Sequence, residues 1–266
     1  MKRGGITGSQ GGALGKVASA VLRDCLKVGL SWSDRVVAIS EATQRSLQAH
    51  LTAKPVELVP MGIPALGVPR NAQARQSPEY DVLAIGRLVR IKRFADLVRA
   101  LGILKRGGGW NGKAVIVGSG PEFPHLLRLV NQLGMEENVY LPGLVNQAQK
   151  AEFLRKSRVF VLCSEREGFG LSALEALSFG LPVVLAKPPQ PEVFGPGQFV
   201  HDGVNGLYYP LGCTDCLASQ ILSLLDSPPR LERLRSSALD TAEEYLWDTI
   251  TSRFLTQLRE WLSLRS

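Results

Sequence analysis

The strongest limit on the fold comes from a regular alternation of short apolar segments with longer amphipathic ones along residues 81–185. Runs such as Val159–Cys163 are short and apolar throughout, which is typical of strands buried on both faces of a parallel sheet. The predicted strands are Asp81–Ile85, Lys113–Val117, Val139–Leu141, Val159–Cys163 and Val183–Leu185, and the predicted helices between them are Phe94–Arg106, Pro124–Gly134, Gln147–Lys156 and Leu171–Phe179. Because parallel strands need helical crossovers, this pattern predicts an α/β fold, with a Rossmann-like parallel sheet covered by helices on both faces.

The segments on either side of this alternation predict further parts of the chain. Residues 14–51 and 56–60 have the pattern of helix, strand, helix and strand, which indicates a short N-terminal α/β portion. A polar segment with two prolines and no apolar period follows, as is typical of a linker. We therefore divide the chain into an N-terminal portion (residues 1–68), a linker (69–79), a Rossmann-like domain (80–245) and a C-terminal helix (246–266) that packs back toward the N-terminal portion.

Charge and hydropathy limit the environment of the chain. Lys and Arg together number 31 against 24 Asp and Glu, a formal charge of +7, which favours anionic partners such as nucleotide phosphates or an acidic membrane surface. The chain has no apolar run long enough to span a bilayer, and its first residues lack the apolar core of a signal peptide. These features predict a cytoplasmic protein.

The four cysteines are scattered and too few for a disulfide scaffold, so we expect reduced thiols. Cys213 and Cys216 have the spacing of half a zinc site, but no second cysteine pair or nearby histidine completes it. We therefore interpret them as two cysteines at the start of a helix and predict no metal site.

Unusual residues follow the predicted strands. Arg87 and Lys92 follow the first strand, Gly118 and Gly120 the second, and Gly143 the third. In an open parallel sheet, ligands bind in the crevice beyond the carboxyl ends of the strands. Glycines permit close approach to the backbone, and cations form charge-assisted hydrogen bonds to phosphate oxygens. The strand ends therefore predict a diphosphate site.

The loop after the fourth strand carries two acids in the stretch S-E-R-E-G-F-G-L-S-A-L-E, residues 164–175. Its Gly-Phe-Gly turn, residues 168–170, leads into a helix whose free N–H groups favour an anion. An acid beside phosphates accepts hydrogen bonds from neutral hydroxyls, as acids do with ribose in dinucleotide folds. We expect Glu175 to bind a nucleotide ribose and Glu167 the sugar beyond the diphosphate.

These motifs together resemble a known family. The segments G-R-L-V-R-I-K, V-G-S-G-P-E, V-Y-L-P-G-L-V, E-G-F-G-L-S-A-L-E-A-L-S-F-G-L-P-V-V and H-D-G-V-N-G-L-Y-Y-P occur in that order. In order and spacing they resemble the C-terminal, donor-binding domain of retaining GT-B glycosyltransferases of the family 4 type, the glycosyl transferases group 1. The segments S-D-R-V-V-A-I-S-E-A-T and V-E-L-V-P-M-G-I resemble the end of that family's N-terminal domain.

The resemblance implies transfer of a sugar from a UDP- or GDP-sugar with retention of configuration, without a metal and with no cofactor besides the donor. The implied acceptor is a glycan or a lipid-linked molecule, and the basic helix at residues 14–32 could lie on an anionic membrane surface. The implied catalytic residues are Arg87, Lys92 and Glu167. The implied donor-binding residues are Gly86, Gly118, Gly120, Gly143, Leu144, Gly168, Phe169, Gly170, Leu171 and Glu175.

Two departures from the family pattern leave alternatives open. The segment before the linker is much shorter than that family's N-terminal domain. Gly8–Gly15 is glycine-rich but does not follow a recognisable first strand, and none of His50, His125 and His201 matches the family's cleft histidine. The loop Lys187–Gln198 replaces the usual glycine pair, although Glu192 can align with the acid that follows that pair. The chain is therefore either an enzyme with an incomplete N-terminal domain, or a non-catalytic donor-binding subunit or donor half that works with a separate acceptor-domain chain.

Other interpretations of the same residues fit less well. A glycoside hydrolase would need a sugar groove between its paired acids, where this pattern predicts a diphosphate crevice. Phe123 occupies the third glycine position of a dinucleotide fingerprint, which argues against a dehydrogenase. The chain has no nucleic-acid-binding motif, so we expect no nucleic-acid partner.

Overall fold

A computed structural model describes residues 24–65, 78–108, 110–187 and 194–263, so Gly8–Gly15 and Glu192 lie outside the described residues. The strands are β1 Val36–Ala38, β2 Val56–Leu58, β3 Tyr80–Ile85, β4 Ala114–Val117, β5 Val139–Gly143, β6 Ser157–Leu162, β7 Val183–Lys187 and β8 Gly206–Pro210. The helices are α1 Glu41–His50, α2 Phe94–Arg106, α3 Phe123–Gln132, α4 Gln147–Arg155, α5 Leu171–Ser178, α6 Thr214–Leu225, α7 Pro228–Glu243 and α8 Trp247–Ser263.

The main sheet has six strands in the order β5-β4-β3-β6-β7-β8, and every pairing in it is parallel. The chain first builds outward from β3 through β4 and β5, and then returns to the other side of β3 with β6. The strand order therefore reverses between β3 and β6, which is where open α/β sheets form their ligand crevice. The predicted α/β fold with a Rossmann-like parallel sheet is confirmed, and the segment Gly206–Pro210 supplies its sixth strand.

Both faces of the sheet are buried, as the apolar strands predict. Along β3, Val82 and Ala84 enter one core cluster, whereas Leu83 enters the other. Helices α2, α3 and α6 pack on the first face, and α4 and α5 pack on the second. The long helix α7 contributes to both clusters, with Leu234 on the first and Ala238 on the second. The six strands are thus held between two apolar layers, which fixes the positions of the loops at their carboxyl ends.

The N-terminal residues form a small separate sheet. Strands β1 and β2 pair in parallel, and the Ser40 side chain caps α1 by accepting a hydrogen bond from the Thr43 N–H. Helix α8 reaches this sheet, where the Gln257 amide donates to the Glu57 carboxylate at 2.8 Å. Residues 24–32 are helical. Residues 14–23 lie outside the described residues, so membrane association through the predicted helix stays a prediction.

No helix in the described part of the chain is both long enough and apolar enough to cross a membrane.

The expectation of four reduced thiols is wrong for one pair. Cys213 and Cys216 form a disulfide, which the sequence spacing alone did not distinguish from two thiols. Cys213 is the N-cap of α6, and its Sγ accepts a hydrogen bond from the Cys216 N–H, so the first helical turn brings the two side chains together. Cys25 is a free, exposed thiol. Cys163 is free but buried at the end of β6, and burial raises the pKa of its thiol to about 12.

These environments predict a stepwise thiol count with a disulfide-exchange reagent near pH 8. Because only the thiolate reacts, Cys163 stays inert below its raised pKa, whereas the exposed Cys25 reacts at once. We expect one reactive thiol in the native protein, two after unfolding and four after reduction. A native count of three, or an unfolded count of four without reductant, would contradict the disulfide.

Candidate functional site

The loops after β3 and β6 meet where the strand order reverses. The Glu165 N–H donates to the Ile91 carbonyl at 2.9 Å, which joins the two loops through their backbones. Beside this bond the Lys92 ammonium forms an ion pair with the Glu167 carboxylate. Sequence positions 75 residues apart are thereby brought together, at the point in the sheet where a crevice is expected.

The Lys92–Glu167 pair is largely withdrawn from solvent, with side-chain exposures of 18% and 12%. The Ser164 hydroxyl donates to the same Glu167 oxygen at 3.1 Å, and the Glu167 carbonyl accepts from the Gly195 N–H at 2.8 Å. Low solvent exposure strengthens such charged hydrogen bonds and restricts the geometry of both side chains. Glu167 is consequently a fixed acceptor, and Lys92 a fixed cation, where the strand order reverses and the crevice is expected.

The loops after β3 and β4 pack against each other at their glycines. The sequence suggested a different role for these glycines, which was to let a ligand approach the backbone. A Cβ atom on Gly118 would lie 1.8 Å from the Gly86 carbonyl oxygen, and one on Gly120 would lie 2.4 Å from the Leu88 carbonyl oxygen. The Gly118 N–H also donates to the Gly143 carbonyl at 2.9 Å, which joins the loop after β4 to the end of β5. Gly118 and Gly120 are therefore required by the contact between loops, whatever ligand approaches them.

The turn between β6 and α5 has three residues with different surroundings. Gly168 is exposed, and a Cβ atom there would meet nothing within 4 Å. The Phe169 side chain is buried against Phe199, with ring centroids 5.5 Å apart, so its ring belongs to the core. Gly170 has φ +92, and a Cβ atom there would lie 2.5 Å from Cγ of Pro196. The buried ring and the left-handed Gly170 hold the turn, which leaves Gly168 as its exposed backbone.

The second acid, Glu175, has a partner that the sequence prediction missed. Lys150, in the first turns of α4, places its Nζ 2.7 Å from Oε1 of Glu175. The missed signal is a basic residue in the first turns of the helix that follows β5, seven residues after the end of that strand. Each acid of the stretch 164–175 that was assigned a binding role is thus paired with a lysine from a different loop or helix.

Besides Gly168, three of the predicted residues lie at the surface. Arg87 is exposed beside Gly86, Leu144 is exposed after β5, and Leu171 is exposed at the first turn of α5. Their expected contacts with a donor stay predictions. All three nevertheless follow the carboxyl ends of strands of the main sheet, on the same edge as the two lysine–glutamate pairs.

A cavity of about 430 Å³ lies beside the loop that carries Glu167, and its lining includes Gly195, whose N–H donates to the Glu167 carbonyl. Its lining includes Glu41 and Arg45 of α1, together with Gln198 and Tyr208, and none of the predicted site residues. The amide nitrogen of Gln198 is buried without a hydrogen-bond partner among the described atoms. This cavity is the main competing location for a ligand, so Arg45 is a suitable control residue for binding at the crevice.

Comparison with known proteins identifies the family. The family model for "Glycosyl transferases group 1" matches residues 69–240. The chain belongs to this family. The match covers the main sheet from β3 to β8 and both lysine–glutamate pairs.

Individual relatives agree with this assignment. The chain is 27% identical over 246 residues to an N-acetyl-alpha-D-glucosaminyl L-malate synthase of Bacillus anthracis, covering 88% of this chain and 62% of that protein. It is 31% identical over 243 residues to a D-inositol 3-phosphate glycosyltransferase of Kineococcus radiotolerans, covering 81% of this chain and 54% of that protein. The chain therefore spans between about half and two thirds of the length of these relatives.

A solved structure supports the fold. The HepE protein of Anabaena, crystallised with UDP, superposes with a TM-score of 0.76 at 23% identity, over 90% of this chain and 67% of that chain. The six-stranded parallel sheet with its flanking helices thus matches GT-B glycosyltransferase structures.

The turn before α5 predicts opposite outcomes for its two glycines. An alanine at Gly170 would collide with Pro196 and adopt a left-handed backbone, so Gly170→Ala should lower the free energy of unfolding by roughly 1–3 kcal/mol. Gly168→Ala enters open space and should change the free energy of unfolding by less than about 0.5 kcal/mol. Chemical denaturation of both variants checks this, and equal stabilities would contradict the described turn.

Proposed function

We propose that this chain binds a nucleotide-diphosphate sugar, UDP- or GDP-linked, and takes part in transferring its sugar to a glycan or lipid-linked acceptor. The observation that carries the proposal is the Lys92–Glu167 pair at the point where the strand order reverses. A fixed cation beside a fixed hydroxyl acceptor suits a ligand in which a sugar is joined to a diphosphate.

The cations would act on the leaving group. Transfer breaks the bond between the anomeric carbon and the distal phosphate oxygen, and negative charge develops on the diphosphate as that bond breaks. The anomeric carbon bonds to an acceptor hydroxyl oxygen, and the hydroxyl proton passes to the released diphosphate. Lys92 and Arg87 both follow β3 and would stabilise this charge by preorganised electrostatic interaction, which is commonly the greatest single contribution to catalysis. Since these two side chains would supply the positive charge, we propose that transfer needs no metal ion and, from the resemblance of the motifs, that it retains configuration.

The acids would bind the neutral parts of the donor. Glu167, held by Lys92 and Ser164, would accept hydrogen bonds from sugar hydroxyls, and the exposed Gly168 amide would face the distal phosphate. Glu175 would accept from the ribose, and the exposed loop at Gly143 and Leu144 would flank the base.

The comparisons support the proposal through what the similar proteins are named. The two relatives are named an N-acetyl-alpha-D-glucosaminyl L-malate synthase and a D-inositol 3-phosphate glycosyltransferase, and HepE was crystallised with UDP. A donor of the UDP type is therefore the first to test, with GDP and ADP beside it.

Calorimetric titration with UDP, GDP and ADP in buffer containing EDTA tests the proposal. We expect UDP or GDP to bind, and Arg87→Ala and Lys92→Met to weaken that binding about tenfold or more, because each removes a charged hydrogen-bond donor to the diphosphate. Arg45→Ala is the matched control, since Arg45 is an exposed cation in the competing cavity.

Two outcomes would contradict the proposal. If binding requires a divalent metal, transfer without a metal is wrong. If Arg45→Ala weakens binding while Arg87→Ala and Lys92→Met do not, the nucleotide occupies the other cavity and the assignment of the crevice fails.

A further inference from the structure

We propose that Lys150 is a positioning residue for Glu175, and that it thereby makes the site prefer ribonucleotide donors to 2′-deoxyribonucleotide donors. The inference rests on the proposed function, because it assigns a role within the same donor site. It adds a residue that none of the motifs of the sequence contains, and it rests on the contact between α4 and α5.

The position of Lys150 is fixed by the capped start of helix α4. Three residues separate the end of β5 from the start of α4, and the last of them, Asn146, forms a capping box with Gln149, so the first turn of α4 is well defined. The Lys150 N–H donates to the Asn146 carbonyl at 2.9 Å. Lys150 therefore projects from the first turns of a capped helix, at the same edge of the sheet as the other crevice residues.

The position of Glu175 is fixed by the packing of helix α5. It lies in the second turn of α5, between the buried residues Leu174 and Ala176. The pair is mostly shielded, with side-chain exposures of 20% for Lys150 and 27% for Glu175. A shielded lysine that meets one oxygen of the carboxylate restricts its rotation and leaves the other oxygen, Oε2, for a ligand hydroxyl.

The charge of Lys150 would also reduce the electrostatic repulsion between Glu175 and the diphosphate of the donor. An unpaired carboxylate beside a diphosphate would repel the phosphates, and the repulsion would be strong where water is excluded. Lys150 neutralises Glu175 without removing its capacity to accept a hydrogen bond. The pair thus presents a neutral, oriented acceptor to the ribose, while Arg87, together with Lys92 in its pair with Glu167, would face the diphosphate.

A different role for Lys150, as a third cation for the phosphates, predicts a different result. A phosphate contact would increase the affinity for ribonucleotides and for 2′-deoxyribonucleotides by the same factor, because both contain the diphosphate. A contact that acts through Glu175 would change the ratio of their dissociation constants. The ratio therefore separates the two roles, and a general loss of folding would not alter it selectively.

The test measures the dissociation constants of UDP and 2′-deoxy-UDP, and of GDP and 2′-deoxy-GDP, for the wild type and for Lys150→Met, Glu175→Gln and the double variant. We expect the wild type to prefer the ribo form about tenfold or more, as for a hydrogen bond to a charged group. Lys150→Met should reduce this preference to about threefold or less. The double variant should show the same preference as Glu175→Gln alone, because Lys150 acts through Glu175.

Lys156 supplies the matched control. It ends the same helix and pairs with Glu79 and Glu152, away from Glu175. Lys156→Met should leave the preference for the ribo form unchanged. Thermal unfolding of each variant establishes that the compared proteins are folded.

The outcomes separate this inference from the proposed function. If the wild type binds none of these nucleotides, both fail. If it binds them and Lys150→Met weakens the ribo and 2′-deoxy forms equally, or lowers the preference additively with Glu175→Gln, the positioning role is wrong and the proposed function stands.

Discussion

The ion pair between Lys92 and Glu167 holds the candidate site together. It joins the loops after β3 and β6, the two strands between which the strand order reverses, and the neighbouring Glu165–Ile91 backbone bond holds the same loops together. Breaking such a pair by removing one partner leaves a poorly solvated charge, so we expect both loops to depend on it.

The two lysine–glutamate pairs give the crevice its electrostatic character. Each acid is neutralised by a lysine from another loop or helix, so the crevice can hold hydroxyl acceptors close to an anionic ligand. Specificity for a sugar nucleotide would then arise from the order of these groups along the strand ends. The glycines serve the same end indirectly, since Gly118 and Gly120 let the loops after β3 and β4 approach each other.

The sequence predicted the elements well where the signal is local. The bounds of α2, Phe94–Arg106, were predicted to the residue because its apolar period and the turn before it both lie within one segment. The Lys150–Glu175 pair and the contact of Gly118 with Gly86 were missed because both depend on how separate elements pack. The disulfide was missed because its spacing fits thiols equally well. The roles of the predicted site residues stay predictions.

Hydrogen–deuterium exchange with and without UDP or GDP is the decisive measurement, because it locates the bound nucleotide along the chain. We expect slower exchange in residues 86–92, 143–150 and 164–175, which follow β3, β5 and β6 and carry both lysine–glutamate pairs. Slower exchange confined to residues 41–45 and 194–202, at the cavity beside α1, would contradict a donor site at the crevice.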